Sequence, residues 1–196
     1  HTRSLEGLIE RHTDHDIGFQ INCSYGNALR LTGDSAAVVP TYLAAARKLA
    51  ARLNPATGVT RSWDWLRHDW RYPVIIDNMM NLELLTAAAR ISGESELAAV
   101  AETHARTTLK NHFRPDWSSW HLVDYDPVTG DVRSKETVQG HAHESAWARG
   151  QAWALYGYTM MYRETLKEEY LDAAENIADM ILAHLPEDGI PYWDFD

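Results

Sequence analysis

Apolar positions recur at helical spacing in six stretches of the chain, and the stretches fall into pairs. Residues 17–31 form the first, closed by Thr32-Gly33-Asp34, where Gly33 is a plausible helix stop. Residues 36–53 form its partner, with Leu43, Ala46, Leu49, Ala50 and Leu53 on one stripe. A loop at 54–73 follows, carrying Trp63 and Trp65. Residues 78–91 are again helical and stop at Ser92-Gly93, and 97–112 pair with them. After a long loop at 113–140, which carries Trp117, Trp120 and His121, a third pair runs over 145–164 and 168–184.

The two hinge glycines lie 60 positions apart. A helical hairpin repeated at that period predicts a solenoid or a closed ring of hairpins. The first helix of each pair is richer in Gly, Asn, Gln, Tyr and Trp, and the second in Ala, Leu, Lys and Glu. That asymmetry fits a ring whose inner helices line a polar cavity and whose outer helices face water. The expected fold is therefore all-α, with 1–196 as a single domain forming about half of an (α/α)6 toroid. The N- and C-terminal parts of such a ring are expected to lie outside this stretch, since six hairpins need roughly twice this length.

Composition narrows the function. The chain of 196 residues carries a net charge of -10 and no basic block, which argues against nucleic acid as a partner. No apolar run approaches the roughly 20 residues of a membrane span. The first residues do not read as a signal peptide, so no membrane partner and a cytoplasmic location are expected. The single Cys23 excludes an internal disulfide and a cysteine-based zinc site. Eight Trp and nine Tyr against three Phe suit a sugar binder, because these side chains, like sugars, join an apolar face to a polar edge. Read singly, each Trp is more simply a core residue.

Three segments offer chemistry. Asp14-His15-Asp16-Ile17-Gly18-Phe19 and Asp77-Asn78-Met79-Met80-Asn81 each place an Asp at the start of an inner helix. Equivalent helix starts share one end of a ring, so Asp16 and Asp77 can face one cavity mouth as a carboxyl pair for acid–base work. The plainer reading makes both of them N-caps. A helix N-terminus lowers a carboxyl pKa, whereas a neighbouring carboxylate and desolvation raise it. The third segment, Gln139-Gly140 through Ser145, Trp147, Arg149, Gly150, Gln151 and Trp153, opens the third inner helix. Arg149 can hold a carboxylate by two parallel hydrogen bonds, and Trp147 can stack on a sugar ring. The bland alternative pairs Arg149 with Glu144. His141, His143 and Glu144 are spaced H-x-H-E rather than H-E-x-x-H, and no metal or other cofactor is expected. His121, alone in its loop, reads by default as a hydrogen-bonded structural histidine.

Together these three segments resemble the unsaturated glucuronyl hydrolases of glycoside hydrolase family 88, and the resemblance spans essentially the whole chain. It implies an (α/α)6 toroid and an enzyme that releases a 4,5-unsaturated uronic acid from lyase-generated oligosaccharides. The implied reaction hydrates the C4=C5 vinyl ether rather than displacing at the anomeric carbon. Asp77 matches the acid that protonates C4 and activates water for C5, and Asp16 its partner carboxylate. His121, Gln139, Trp147 and Arg149 match uronate-subsite positions, and Trp63 a stacking face. The expected partner is an unsaturated uronate disaccharide or oligosaccharide. Two rivals stand beside this: an unsaturated rhamnogalacturonyl hydrolase, and a non-catalytic glycan-binding toroid that would need neither Asp.

Overall fold

The computed structural model describes residues 2–11, 14–65 and 69–196. Its frame is three helical hairpins. The first begins with α2 (Ile17–Ile21), passes through a π-helical turn (Asn22–Gly26) and continues as α3 (Asn27–Thr32), a short α1 (Leu8–Arg11) lying before it. Gly33 ends this rod at φ 67°, and Asp34 caps α4 (Ser35–Ala50) by accepting from the Ala37 N–H. The second hairpin joins α5 (Leu82–Ser92) to α6 (Ser95–Asn111) through Gly93 at φ 79°. The third joins α7 (Ala148–Thr165) to α8 (Glu168–His184) through Leu166 at φ 55°. All three predicted hairpins are present, with boundaries moved by a few residues at most of their ends.

One core runs between the hairpins. Ile17, Ile21, Tyr42, Leu49, Leu82, Leu85, Tyr158, Tyr170 and Ile177 are all buried in it. Fully burying such a side chain stabilises by about 1.5–3 kcal/mol relative to leaving it in water. The first helix of each pair packs against its successor's, which brings their starts to the same end of the array.

The expectation of a purely α fold is corrected by two small antiparallel sheets. β1 (Leu53–Asn54) and β2 (Val59–Thr60) form a hairpin in the loop after α4, a loop whose residues 66–68 lie outside the described residues. β3 (Pro73–Ile75), β4 (Leu122–Tyr125) and β5 (Val132–Glu136) form a second sheet in that order. Each of β3 and β4 is buried at every residue, so neither shows the alternation that marks a half-exposed strand. The sheet ties the start of the second hairpin to the loop before the third. Ile75 pairs with Leu122, Leu122 with Glu136, and the Ile76 N–H donates to the His121 carbonyl at 2.9 Å.

On α6 and just after it, His104 and His112 are fully buried, and burial pushes each down to about 3. Between that value and the ordinary 6.5, the unfolded chain binds protons that the fold refuses, so stability falls as pH falls. The Asp77 carboxyl, raised by burial to about 6, acts in the opposite sense over a narrower window, and the two histidines outweigh it. The melting temperature is therefore expected to drop steadily on acidification from about pH 7 to about pH 4. A level melting temperature across that range would contradict this.

Candidate active site

Asp77 is set by the element after β3. The chain leaves the sheet at Ile75, turns through a 3-10 segment (Ile76–Asn81) and continues into α5. Two glycines let neighbouring helices close on this turn. A Cβ on Gly18 would lie 2.5 Å from the Asn81 Cβ, and one on Gly157 would lie 2.5 Å from the Met79 Cβ. With hydrogen there instead, α2 and α7 approach the turn directly, and the Phe19 N–H reaches the Asn81 Oδ1 at 2.6 Å. Asp16 at the start of α2 and Arg149 at the start of α7 are thereby brought beside Asp77.

The three surround one cleft of about 470 Å³, lined by Asp16, Phe19, Gln20, Asp77, Met80, Arg149 and Trp153. Neither Asp side chain caps its own helix. The Asp16 side chain is 54 % exposed and that of Asp77 only 17 %. Burial raises the Asp77 carboxyl to about 6; the Asp16 charge adds to this, while the charges of His15 and Arg149 oppose it. Desolvation therefore outweighs any pull from the helix start. Asp77 Oδ1 is shut off from solvent and makes no hydrogen bond.

His121 stands at the start of β4 with its Nε2 3.6 Å from Asp77 Oδ1. Burial holds its pKa at about 3, so the ring is neutral and this contact is not an ion pair. The Val138 N–H points at Nδ1 at 3.2 Å, which places the ring proton on Nε2, toward Asp77. Gln139 lies beside this contact. With the ring proton on Nε2, its own NH2 at 3.2 Å from that nitrogen is a donor facing a donor and makes no hydrogen bond, while its Oε1 accepts from Arg149 Nη2 at 2.8 Å. His15 flanks the other side. Its Nδ1–H donates to the Ser62 carbonyl at 2.8 Å, and its Nε2 lies 3.3 Å from Asp16 Oδ1.

Two of the anticipated sugar-stacking faces are not open. Trp147 is 2 % exposed, with the His121 ring edge-on to it at 4.9 Å between ring centres and the Arg149 guanidinium 4.4 Å over its ring. It is a support under Arg149 rather than a wall of the cleft. Trp63 is buried and stacked at 4.8 Å on Trp65, which takes the exposed position. The apolar wall is instead Phe19, Met80 and Trp153, with the rings of Phe19 and Trp153 6.4 Å apart. These follow Asp16, Asp77 and Arg149 by three, three and four positions, so one helical turn from each polar residue would have found them. His141, His143 and Glu144 are exposed, and His143 Nδ1 is 3.9 Å from Glu136. Among the described residues no group of three or more His, Cys, Asp or Glu side chains is arranged to hold a metal ion, and no helix is long and apolar enough to cross a membrane.

The arrangement is that of a helical-hairpin protein with one acidic, aromatic-walled cleft at the shared end of its first helices. The same architecture occurs in known proteins. The chain is 46 % identical over 194 residues to an unsaturated glucuronyl hydrolase of Formosa agariphila, a match covering 98 % of the chain and 48 % of that protein. It superposes on a crystal structure of an unsaturated glucuronyl hydrolase specific for heparin with a TM-score of 0.95 at 48 % identity, covering 100 % of the chain and 52 % of the other. A variant of the Streptococcus agalactiae enzyme complexed with dGlcA-GalNAc6S matches with a TM-score of 0.78 at 29 % identity, over 99 % of the chain and 47 % of that protein. No family model matches the chain. This chain is a homologue of the unsaturated glucuronyl hydrolases. It spans about half the length of the curated relatives it matches.

Proposed function

We propose that the protein releases 4,5-unsaturated uronic acid from oligosaccharides by hydrating the C4=C5 double bond, and that its three hairpins form half of a six-hairpin toroid. The observation that carries the catalytic reading is the Asp77 carboxyl, raised by burial to about 6 beside a cleft that also holds Arg149. A general acid works best with a pKa near the working pH, and an ordinary surface Asp would have lost its proton about two units lower.

The proposed reaction follows from those positions. Asp77 gives its proton to C4, the π electrons form the new C–H bond, and C5 becomes an oxocarbenium centre. The carboxylate left behind takes a proton from water as its oxygen bonds to C5, which restores the acid. The resulting hemiketal opens at its ring C5–O bond to a C5 ketone, its hydroxyl proton passing to the ring oxygen. C1 is then a hemiacetal, which collapses to an aldehyde as its glycosidic C1–O bond breaks and the other sugar leaves with the proton. Neutral His121 lies against the buried Asp77 Oδ1 at 3.6 Å and backs the inner side of the carboxyl. Arg149, held over Trp147 and oriented by Gln139, is placed to take the uronate carboxylate. Asp16 supplies negative charge that favours the protonated form of Asp77.

Two measurements test these roles in an assay that follows loss of the ultraviolet absorbance of the double bond. The rate attributed to the acid form is expected to fall as pH rises through about 6, because Asp77 then loses the proton it must deliver; a rate that climbs through that window would assign the step to another group. Arg149→Ala should raise KM by about 10- to 100-fold with kcat within about threefold, as for an interaction made equally in ground and transition states. Unchanged KM would remove Arg149 from substrate binding. Glucuronyl and rhamnogalacturonyl substrates compared side by side separate the two hydrolase readings, and binding without turnover would favour a glycan-binding toroid.

A further inference from the structure

The residues proposed to hold the uronate carboxylate are held in turn by a segment far along the chain. Residues 193–196 run antiparallel to the start of α7, with a bridge between Trp147 and Asp194. The Ala148 N–H donates to the Trp193 carbonyl at 3.1 Å, and the Phe195 N–H to the Ala146 carbonyl at 2.9 Å. Asp194 stands at the centre and is only 8 % exposed. Its Oδ2 accepts from the His141 N–H and the Ser145 hydroxyl, both at 2.7 Å, and its Oδ1 from the Asp196 N–H at 3.1 Å. Asp196 Oδ2 in turn accepts from the Ala146 N–H at 2.7 Å.

Gly140 shows how closely this carboxylate is seated. A Cβ there would lie 2.4 Å from Asp194 Oδ2 and 2.4 Å from Thr137 Cγ2. The loop thus crosses directly over the buried carboxylate between Gln139 on one side and Trp147 and Arg149 on the other. Those are the residues that join Arg149 to Gln139 and seat it on Trp147. A charged acceptor fits this place because two backbone N–H groups of fixed direction and the Ser145 hydroxyl converge on it, and hydrogen bonds to an ionised acceptor are shorter and stronger than neutral ones.

We infer that Asp194 is a positioning residue for the substrate-carboxylate arm, fixing the 139–147 loop so that Gln139 and Arg149 keep one geometry. It touches no substrate itself. The inference rests on the reading of Arg149 as the carboxylate-binding residue. An amide in place of the carboxylate cannot satisfy all three donors, since its NH2 group must face at least one N–H or O–H. Asp194→Asn is therefore expected to free the loop while leaving the hairpins folded. Ser145→Ala, which removes one donor and leaves the charge, should act in the same direction but more weakly.

Amide hydrogen exchange on the protein and on both variants decides the matter without requiring turnover. Exchange at His141 and Ala146 should quicken by about tenfold or more in Asp194→Asn, with the amides of α4, α5 and α6 unchanged. In the absorbance assay KM should rise by about tenfold while kcat stays within about threefold. Exchange quickened evenly through the molecule would make Asp194 a general stabiliser and overturn the inference, as would unchanged exchange at both amides. A local loosening with KM unmoved would overturn the link to substrate while leaving the hydration reading standing; loss of activity on Asp77 substitution tests that reading separately.

Discussion

Replacing Asp77 by Asn is expected to lower turnover by about a thousandfold, within the range that a positioned acid–base group contributes. The expectation rests on three features of its surroundings. Burial keeps a proton on this carboxyl to about pH 6, its inner oxygen is turned toward His121, and its neighbours across the cleft are Asp16 and Arg149. Asn has nearly the same shape, so the cleft should survive the change, but it has no proton to give and no base to regain one. Binding should persist, with KM changed less than about threefold. The variant should also be somewhat more stable than the parent at neutral pH, because an ionised carboxylate is no longer held in a dry site. Circular dichroism and thermal melting separate loss of chemistry from loss of fold. A variant that keeps the full rate would transfer the acid role elsewhere.

The second large effect is expected at a position with no chemistry of its own. Gly18→Ala adds one carbon where the nearest atoms, Asn81 Cβ, Oδ1 and Cα, lie at 2.5, 2.7 and 2.9 Å. One of these is backbone, so relief requires α2 to move away from the 76–81 turn. Overpacking of this kind costs about 1–3 kcal/mol, offset by up to about 1 kcal/mol from the better helix propensity of Ala. A net loss of about 1–2 kcal/mol would lower the melting temperature by about 3–6 °C in a chain of this size. The same displacement lengthens the Phe19 N–H contact to Asn81 and carries Asp16 away from Asp77, so turnover should fall further than stability alone explains. Gly157→Ala should do the same from the α7 side, through the Met79 Cβ. If Gly18→Ala melts and turns over like the parent, the close approach of α2 to the turn does not set the site.

Asp77 and Gly18 mark the border between what is legible in the chain and what is not. The hairpins are legible because their apolar stripes keep a 3.6-residue period and because Gly33 and Gly93 mark the stops. The meeting of Asp16, Asp77 and Arg149 at one end is legible because equivalent helix starts in a hairpin repeat face the same way. The three-stranded sheet is not, since Pro73-Val74-Ile75 and Leu122-Val123-Asp124-Tyr125 are buried on both faces and carry no alternation. Yet that sheet places His121 beside Asp77. Trp63 and Trp147 pass for open stacking faces in the sequence because residue type does not report burial. Trp147 is covered by groups from distant parts of the chain and from its own helix. The balance between helix start and desolvation at Asp77 likewise depends on how α2 and α7 close over the turn, which only the packed structure shows.

Turnover of an unsaturated uronate disaccharide in D2O, followed by proton NMR at early times, tests the central claim most directly. Hydration predicts that the vinyl proton signal disappears as the second sugar is released, with one deuteron delivered to C4 of the uronate product. A product that leaves with its double bond intact and no deuterium at C4 would mean displacement at the anomeric carbon, and would contradict the assignment of Asp77 as the acid that protonates C4.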